Sequence, residues 1–187
     1  MGMLRYGLSC SLDGYVVDGD GNFDWSEPSE DAHAYFNART REVSTFVLGR
    51  RMWETMRVWD TMPAGESEVT DEFAAAWREI DKIVCSDTLT GLDAPRATLE
   101  PRLTAERLAE IVAASDGVVE VSGPTTAAVA LRAGMVDEMD VRVLPYVAGS
   151  GVRLLPDGLR AELALVDTFV FDDGSVCLRY ARSAAAG

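Results

Sequence analysis

Val118-Val-Glu-Val-Ser-Gly-Pro-Thr-Thr-Ala-Ala-Val-Ala-Leu-Arg-Ala-Gly-Met-Val-Asp-Glu-Met-Asp-Val-Arg-Val-Leu-Pro-Tyr-Val-Ala-Gly-Ser-Gly151 is the stretch that decides the fold. Val118 to Val121 is a short β-branched run that suits a buried strand. Ser122-Gly123-Pro124-Thr125-Thr126 turns abruptly, and Ala127 to Ala133 is a good helix former stopped by Gly134. A second strand and a glycine-rich exit follow. A helix that starts straight after a buried strand presents unpartnered N–H groups and the positive end of its dipole, so it can hold a phosphate without a basic side chain. Pro124 fits the first helical position and leaves Thr125 and Thr126 as backbone and hydroxyl donors. The Gly123–Pro124 bond is a candidate for the cis form, which about 5–6% of X–Pro bonds adopt. An ordinary helix start after an edge strand explains the same residues, and this segment alone leaves both readings open.

Composition narrows the function classes. The formal net charge of −14 repels a phosphate backbone and argues against nucleic-acid partners. Any anionic ligand must therefore find a local positive island. With 187 residues and 48% hydrophobic content, the chain reads as one domain, 1–187, with a real core. No run approaches the ~18 apolar residues of a membrane span and no basic-then-apolar leader appears, so a cytoplasmic location is expected. Met1-Gly2-Met3 reads as an added start ahead of Met3, and Ser183 to Gly187 as a loose tail. Cys10, Cys85 and Cys177 are odd in number and set in apolar runs, as for buried thiols in a reducing compartment. His33 is the lone histidine and no cysteine pair has ligand spacing, so no metal site is expected.

Leu4 to Val17 alternates like a strand and breaks at Asp13-Gly14, a strong turn signal. Ser29-Glu30-Asp31 starts a helix running to about Arg41, with His33 on its surface. Thr45 to Leu48 is a compact strand followed by Gly49-Arg50-Arg51-Met52-Trp53-Glu54, a second strand-to-helix turn and the positive island. Trp59 to Ser67 reads as loop, and Thr70 caps a helix through Ile80. Lys82 to Ser86 is a third strand, Leu89 to Arg102 is irregular with Pro95 and Pro101 as breakers, and Thr104 to Ala114 is an amphipathic helix. Two apolar runs around Asp172-Asp-Gly-Ser175 form a terminal hairpin. Strands alternating with helices and then strands alone give an α/β class, a mostly parallel sheet with an antiparallel C-terminal edge.

Ligands of open α/β sheets lie at the carboxyl ends of strands. Three such ends carry polar or glycine-rich chemistry: Gly49-Arg50-Arg51, Ser86-Asp87-Thr88 and Ser122 to Thr126. Several loops along one edge suit a long ligand such as a dinucleotide, although the G-x-G-x-x-G fingerprint is absent. Arg50 and Arg51 can pair with the extra phosphate of NADPH, or form a solvated basic pair at a helix end.

Ser11-Leu-Asp-Gly-Tyr15, Gly49 to Glu54, Lys82 to Leu89, Ser122 to Thr126, Gly134-Met-Val-Asp-Glu138, Pro145 and Gly149-Ser-Gly151 together resemble the dihydrofolate-reductase-like family. Within it, they are similar to the C-terminal reductase domain of bifunctional riboflavin-biosynthesis deaminase/reductases, the RibD C-terminal family. The resemblance covers nearly the whole chain in the same order. It implies a three-layer fold with a central mostly parallel sheet of about eight strands, often homodimeric, acting as an NADPH-dependent reductase. Gly49, Arg50 and Arg51 would then face the adenosine phosphate, Ser86 the adenosine side, and Gly123 with Pro124, Thr125 and Thr126 the pyrophosphate. Pro124 replaces the family's second glycine, and Met52 stands where a threonine commonly donates a hydroxyl. The implied chemistry is hydride transfer to a C=N or C=O carbon of a pteridine, pyrimidine or opened ribosyl substrate, foremost 5-amino-6-(5-phosphoribosylamino)uracil. Asp31 and Asp13 are the candidate catalytic acids, and Tyr15, Trp25 and Trp59 the candidate pocket walls. A dihydrofolate reductase and a non-catalytic nucleotide-binding module are the alternatives.

Overall fold

The fold is given by a computed structural model that describes residues 2–183, so the tail beyond Ser183 lies outside the described residues. Its centre is an eight-stranded sheet. In chain order the sheet strands are β1 (Met3–Ser11), β3 (Val43–Gly49), β4 (Asp81–Cys85), β5 (Ala97–Glu100), β6 (Val118–Ser122), β7 (Glu138–Leu144), β9 (Leu163–Val170) and β10 (Val176–Arg182). Across the sheet they run β5-β4-β3-β6-β1-β7-β10-β9. The first six are mutually parallel, and β10 pairs antiparallel with both β7 and β9. This is the mostly parallel sheet with an antiparallel end that the strand and helix pattern predicts. A separate ribbon joins β2 (Tyr15–Asp18) to β8 (Gly151–Arg153).

Helices cover both faces. On one side lie α1 (Glu30–Thr40), α2 (Arg50–Met56) and α3 (Glu68–Glu79), with Trp53, Phe73 and Trp77 packed on Phe46, Leu48 and Val84. The other side carries α4 (Ala105–Ala114) and α5 (Pro124–Arg132), with Leu108, Ile111, Ala127, Ala130 and Leu131 on Leu4, Tyr6, Val119 and Val121. Alternation along β1 sends Leu4 and Tyr6 to the α4–α5 side and Arg5 to the α1 side.

Several local readings change. α3 begins at Glu68, capped by Ser67 Oγ accepting from Thr70 N at 3.2 Å, rather than at Thr70. The stretch Leu89 to Arg102 contains β5, parallel to β4. No peptide bond is cis among the described residues, so Gly123–Pro124 is trans. His33 is half-buried and not on the surface: its ring meets Phe73 at 5.7 Å and Trp59 at 6.1 Å. Burial there lowers its pKa.

α1 has no continuous apolar stripe, and an ionic belt seats it on the sheet. Arg5, 1% exposed, donates to Glu138 at 3.1 Å and to the Arg39 carbonyl at 3.1 Å, and pairs with Glu42. Arg39 on α1 donates to Asp140 at 2.8 Å, and Arg179 to Glu138 at 3.0 Å. Such a belt is costly to break, because removing one partner strands the others in low dielectric.

Glu120 sits at the edge of this belt, 3.5 Å from Arg5 Nη1. Burial raises its pKa from 4.5 to about 7, against the pull of Arg5. Between these values the folded chain holds a proton that the unfolded chain has lost. This residue's contribution to stability is thus full below about pH 4.5 and drains as the pH rises through about 7, by at most about 1.4 kcal/mol per pH unit. Glu120→Gln removes that drain. Urea titrations should show the variant gaining stability relative to the parent between about pH 5 and about pH 8; parallel profiles would contradict this account.

Candidate functional site

β4, β3 and β6 are consecutive in the sheet and parallel, with Gly49 opposite Cys85 and Leu48 opposite Ser122, so their carboxyl ends finish level. From β3 the chain enters α2 on one face, and from the neighbouring β6 it enters α5 on the other. Adjacent strands that feed helices to opposite faces open a crevice at their ends. The N-terminal N–H groups of both helices therefore border one cleft.

Small residues bring the two helix starts together. A Cβ at Gly49 would lie 2.4 Å from Thr126 Oγ1, so the Thr126 hydroxyl occupies the space a side chain there would need. Gly123 has φ +95°, in the region that favours glycine, and its missing Cβ would lie 3.5 Å from Met52 Cβ. Pro124 occupies the first turn of α5. On the other flank, Arg50 Nη1 donates to Thr88 Oγ1 at 3.0 Å and Nε to Glu54 at 2.7 Å. Ser86 Oγ accepts from the N–H groups of Thr88 and Leu89 at 3.2 and 3.1 Å. Gly49, Arg50, Ser86, Gly123 and Thr126 thus line one rim, with Arg51 and Thr125 exposed on the first turns of the same helices.

A flap adjoins this rim where β1 and β7 end. Asp13 accepts from Ser11 Oγ at 2.7 Å, Ala148 N at 3.0 Å and Gly149 N at 2.7 Å. The Ser11 hydroxyl and these amides bring its pKa down to about 2. The β2–β8 ribbon closes over the same corner. Gly151, at φ +134°, would place a Cβ 1.9 Å from the Val17 carbonyl, so that contact also demands glycine. Trp25 stacks on Tyr146 with centroids 4.9 Å apart and planes 16° apart. Leu12, Phe23, Tyr146 and Val147 are exposed on this flap.

The structure separates the other expected site residues. Tyr15 lies on the flap with the Arg153 guanidinium 4.9 Å over its ring. Trp25 is on the flap, whereas Trp59 meets Phe73 at 4.7 Å against the α3-side core. Asp31 sits at the start of α1, where it accepts from Ser29 Oγ at 2.6 Å, Ala32 N at 2.9 Å and Asp172 N at 2.9 Å. The Ser29 hydroxyl and the Asp172 amide hold its carboxyl below the usual range. Asp13 and Asp31 are therefore both ionised near neutrality and already engaged.

Three features escaped sequence reasoning: Leu12, the Tyr146-Val147 pair, and Arg142. Arg142 is wholly inaccessible; it donates to Ser175 Oγ at 2.8 Å and the Ser26 carbonyl at 3.0 Å, and pairs with Asp173. It ties the segment before α1 to the β9–β10 turn. The apolar pair directly after Pro145, in an otherwise small-residue loop, is the one visible signal.

The sheet order, the helices on both faces and the crevice define a dihydrofolate-reductase-like α/β domain. The same fold occurs in dihydrofolate reductase from Enterococcus faecalis complexed with NADP(H), at 15% identity and TM-score 0.67, covering 98% of each chain. The chain belongs to the family described as RibD C-terminal domain, which matches residues 3–177. A protein of Shewanella sp. PV-4 provisionally assigned to riboflavin biosynthesis is similar at 21% identity and TM-score 0.77, over 97% of this chain and 99% of that one. A Thermotoga maritima diaminohydroxyphosphoribosylaminopyrimidine deaminase/5-amino-6-(5-phosphoribosylamino)uracil reductase matches at 14% identity and TM-score 0.66, over 97% of this chain but 57% of its own length. No curated protein matches the chain in sequence.

The close approach at the rim is directly testable. Gly49→Ala should destabilise the fold by about 1–3 kcal/mol through overpacking. Because Gly49 has φ −76°, which alanine tolerates, the cost comes from Thr126 Oγ1. Adding Thr126→Ala should restore most of the loss in a double-mutant cycle read by urea denaturation; simple additivity would show that the two residues do not meet.

Proposed function

We propose that this protein is an NADPH-dependent reductase that delivers hydride to a pyrimidine- or pteridine-type ring or its ribosyl appendage. The reduction of 5-amino-6-(5-phosphoribosylamino)uracil is the leading candidate. The observation that carries this reading is the crevice where α2 and α5 start from neighbouring strands and meet across Gly49 and Thr126. The cofactor fits that place on three grounds: two glycines that leave main chain uncovered at the rim, two helix N-termini, and a basic pair at the start of α2. When bound, the nicotinamide supplies the hydride.

The remaining work falls to the chain. The first turn of α5, with Thr125 and Thr126, holds the pyrophosphate, while Ser86 and Thr88 border the adenosine side. Arg51 is the freer arginine for the 2′-phosphate, since Arg50 is already bonded to Glu54 and Thr88. The flap, with Leu12, Trp25 and Tyr146, excludes water from the reacting end and offers a flat apolar surface to a planar substrate. Asp13 positions that flap by gripping the Ala148 and Gly149 amides. Its lowered pKa makes it a poor proton donor near neutrality, so it acts by holding geometry. The unpaired thiols of Cys10, Cys85 and Cys177 suit a cytoplasmic setting, and no helix among the described residues is long and apolar enough to cross a membrane.

One observation favours the alternative of a nucleotide-binding module without turnover. Met52 and Pro124 put an apolar side chain and an amide without a proton at the rim, where a hydroxyl and an N–H would serve phosphate binding. Fluorescence titration separates the readings. NADPH should bind, and replacing Arg50 and Arg51 together by Ala should weaken it by about 1.5–3 kcal/mol while leaving NADH almost unchanged. Binding without oxidation of NADPH in the presence of pyrimidine or pterin substrates would favour the module, and no binding at all would remove both.

A further inference from the structure

Reduction of a C=N or C=O bond places a hydride on carbon and leaves on nitrogen or oxygen an electron pair that must take up a proton. Asp13 and Asp31 are ionised and engaged near neutrality, so neither supplies it. Glu120 on β6 is a third carboxyl. Val119 and Val121 pack under α4 and α5, so alternation turns Glu120 and Ser122 to the opposite face, the one on which α2 leaves the rim.

The pairing register shows how near the rim this carboxyl comes. Arg5 lies beside Glu120 and Tyr6 beside Val121, so Gly7 stands one step further on, level with Ser122. Glu120 leans that way: its Oε1 lies 3.8 Å from where a Cβ at Gly7 would be. Glycine leaves the floor beside the carboxyl uncovered. β1 is flanked by β6 and β7, yet Gly7 and Ser9 are only half-buried, and 18% of the Glu120 side chain is open. Because both neighbouring strands are paired to β1, water reaches these residues from the α1–α3 face, through a slot between the helices.

The charged groups that face Glu120 are Arg5 from β1, Arg39 from α1 and Asp140 from β7, and its neighbour on β3 is Phe46. Burial outweighs Arg5 and raises its pKa to about 7, so the carboxyl still holds a proton near neutrality. We propose that Glu120 is the proton donor of the reduction: its O–H bond breaks as the hydride reaches carbon, and the new N–H or O–H bond forms on the substrate. The carboxylate left behind faces Arg5 Nη1 at 3.5 Å and regains its proton from water on the open side. This rests on the reductase reading and adds to it the acid that the reading lacks.

The charge on the coenzyme ring gives a test that needs no substrate. NADP+ carries a positive nicotinamide and NADPH a neutral one, on the same phosphates. In protein labelled with carbon-13 at the glutamate carboxyls, the Glu120 resonance is the one missing from Glu120→Gln. It should titrate about half a pH unit or more lower with NADP+ bound than with NADPH. Equal midpoints with both coenzymes bound overturn the proposal and leave the reductase reading standing, whereas failure of either coenzyme to bind removes both. Turnover adds a second readout on whichever of 5-amino-6-(5-phosphoribosylamino)uracil and dihydrofolate is reduced. Wild-type kcat should fall about tenfold per pH unit above about pH 7, and Glu120→Gln should lower kcat about 100-fold or more and abolish that limb. Glu120→Asp should keep the limb, and so should His33→Gln, which removes the single histidine of the chain. A limb that survives Glu120→Gln, or an unchanged kcat, overturns the proposal. Should Glu120→Gln fail to fold, Glu120→Asp identifies the resonance instead by removing it from the glutamates; should neither substrate be reduced, the two midpoints alone decide.

Discussion

The level finish of β4, β3 and β6 is the constraint on which the rest of the molecule depends. Parallel pairing with Gly49 opposite Cys85 and Leu48 opposite Ser122 fixes three chain exits on one edge within a residue of each other. Once α2 and α5 leave neighbouring exits toward opposite faces, a crevice bordered by amide protons follows from topology. It needs little basic side-chain chemistry, which suits an acidic chain: dipoles and backbone donors attract anions without altering the net charge.

The two sides of the sheet are held by different physics. The α4–α5 side is an apolar core built on Leu4, Tyr6, Val119 and Val121, and tolerance there is set by volume and shape. The α1 side is apolar under α3 but ionic under α1, where Arg5, Arg39 and Arg179 interleave with Glu138 and Asp140. Ionic seating gives a helix a defined register at little net gain in stability. That suits α1, because its first turn, through Asp31 and the preceding segment, borders the flap.

Much of this was legible in the sequence, for identifiable reasons. Buried parallel strands read as short β-branched runs, and Pro124 with Gly134 bracketed α5 clearly. The rim residues Gly49, Arg50, Ser86, Gly123 and Thr126 came together because each ends such a run or follows it within four residues. What was hidden depended on distant partners. β5 is four residues between Pro95 and Pro101 with one neighbour, so local propensity argues against it. The β2–β8 ribbon joins segments more than a hundred residues apart and relies on Gly151 passing against Val17. His33 looked exposed because α1 shows no apolar stripe, yet Trp59 and Phe73 fold over it. Ser67 and Thr70 lie 2.8 Å apart through their hydroxyls, so either could have capped α3, and only the backbone geometry distinguishes them.

Arg142 carries an implication for how this lineage can vary. Its planar fork reaches a serine hydroxyl and a carboxylate in the β9–β10 turn and a main-chain carbonyl before α1, from a position closed to water. An ammonium group has neither the span nor the directions to replace it. Descendants that lose this arginine must also have rebuilt the side chains of the turn at Asp173 to Ser175. Correlated replacement at those sites is the evolutionary trace such a buried knot should leave.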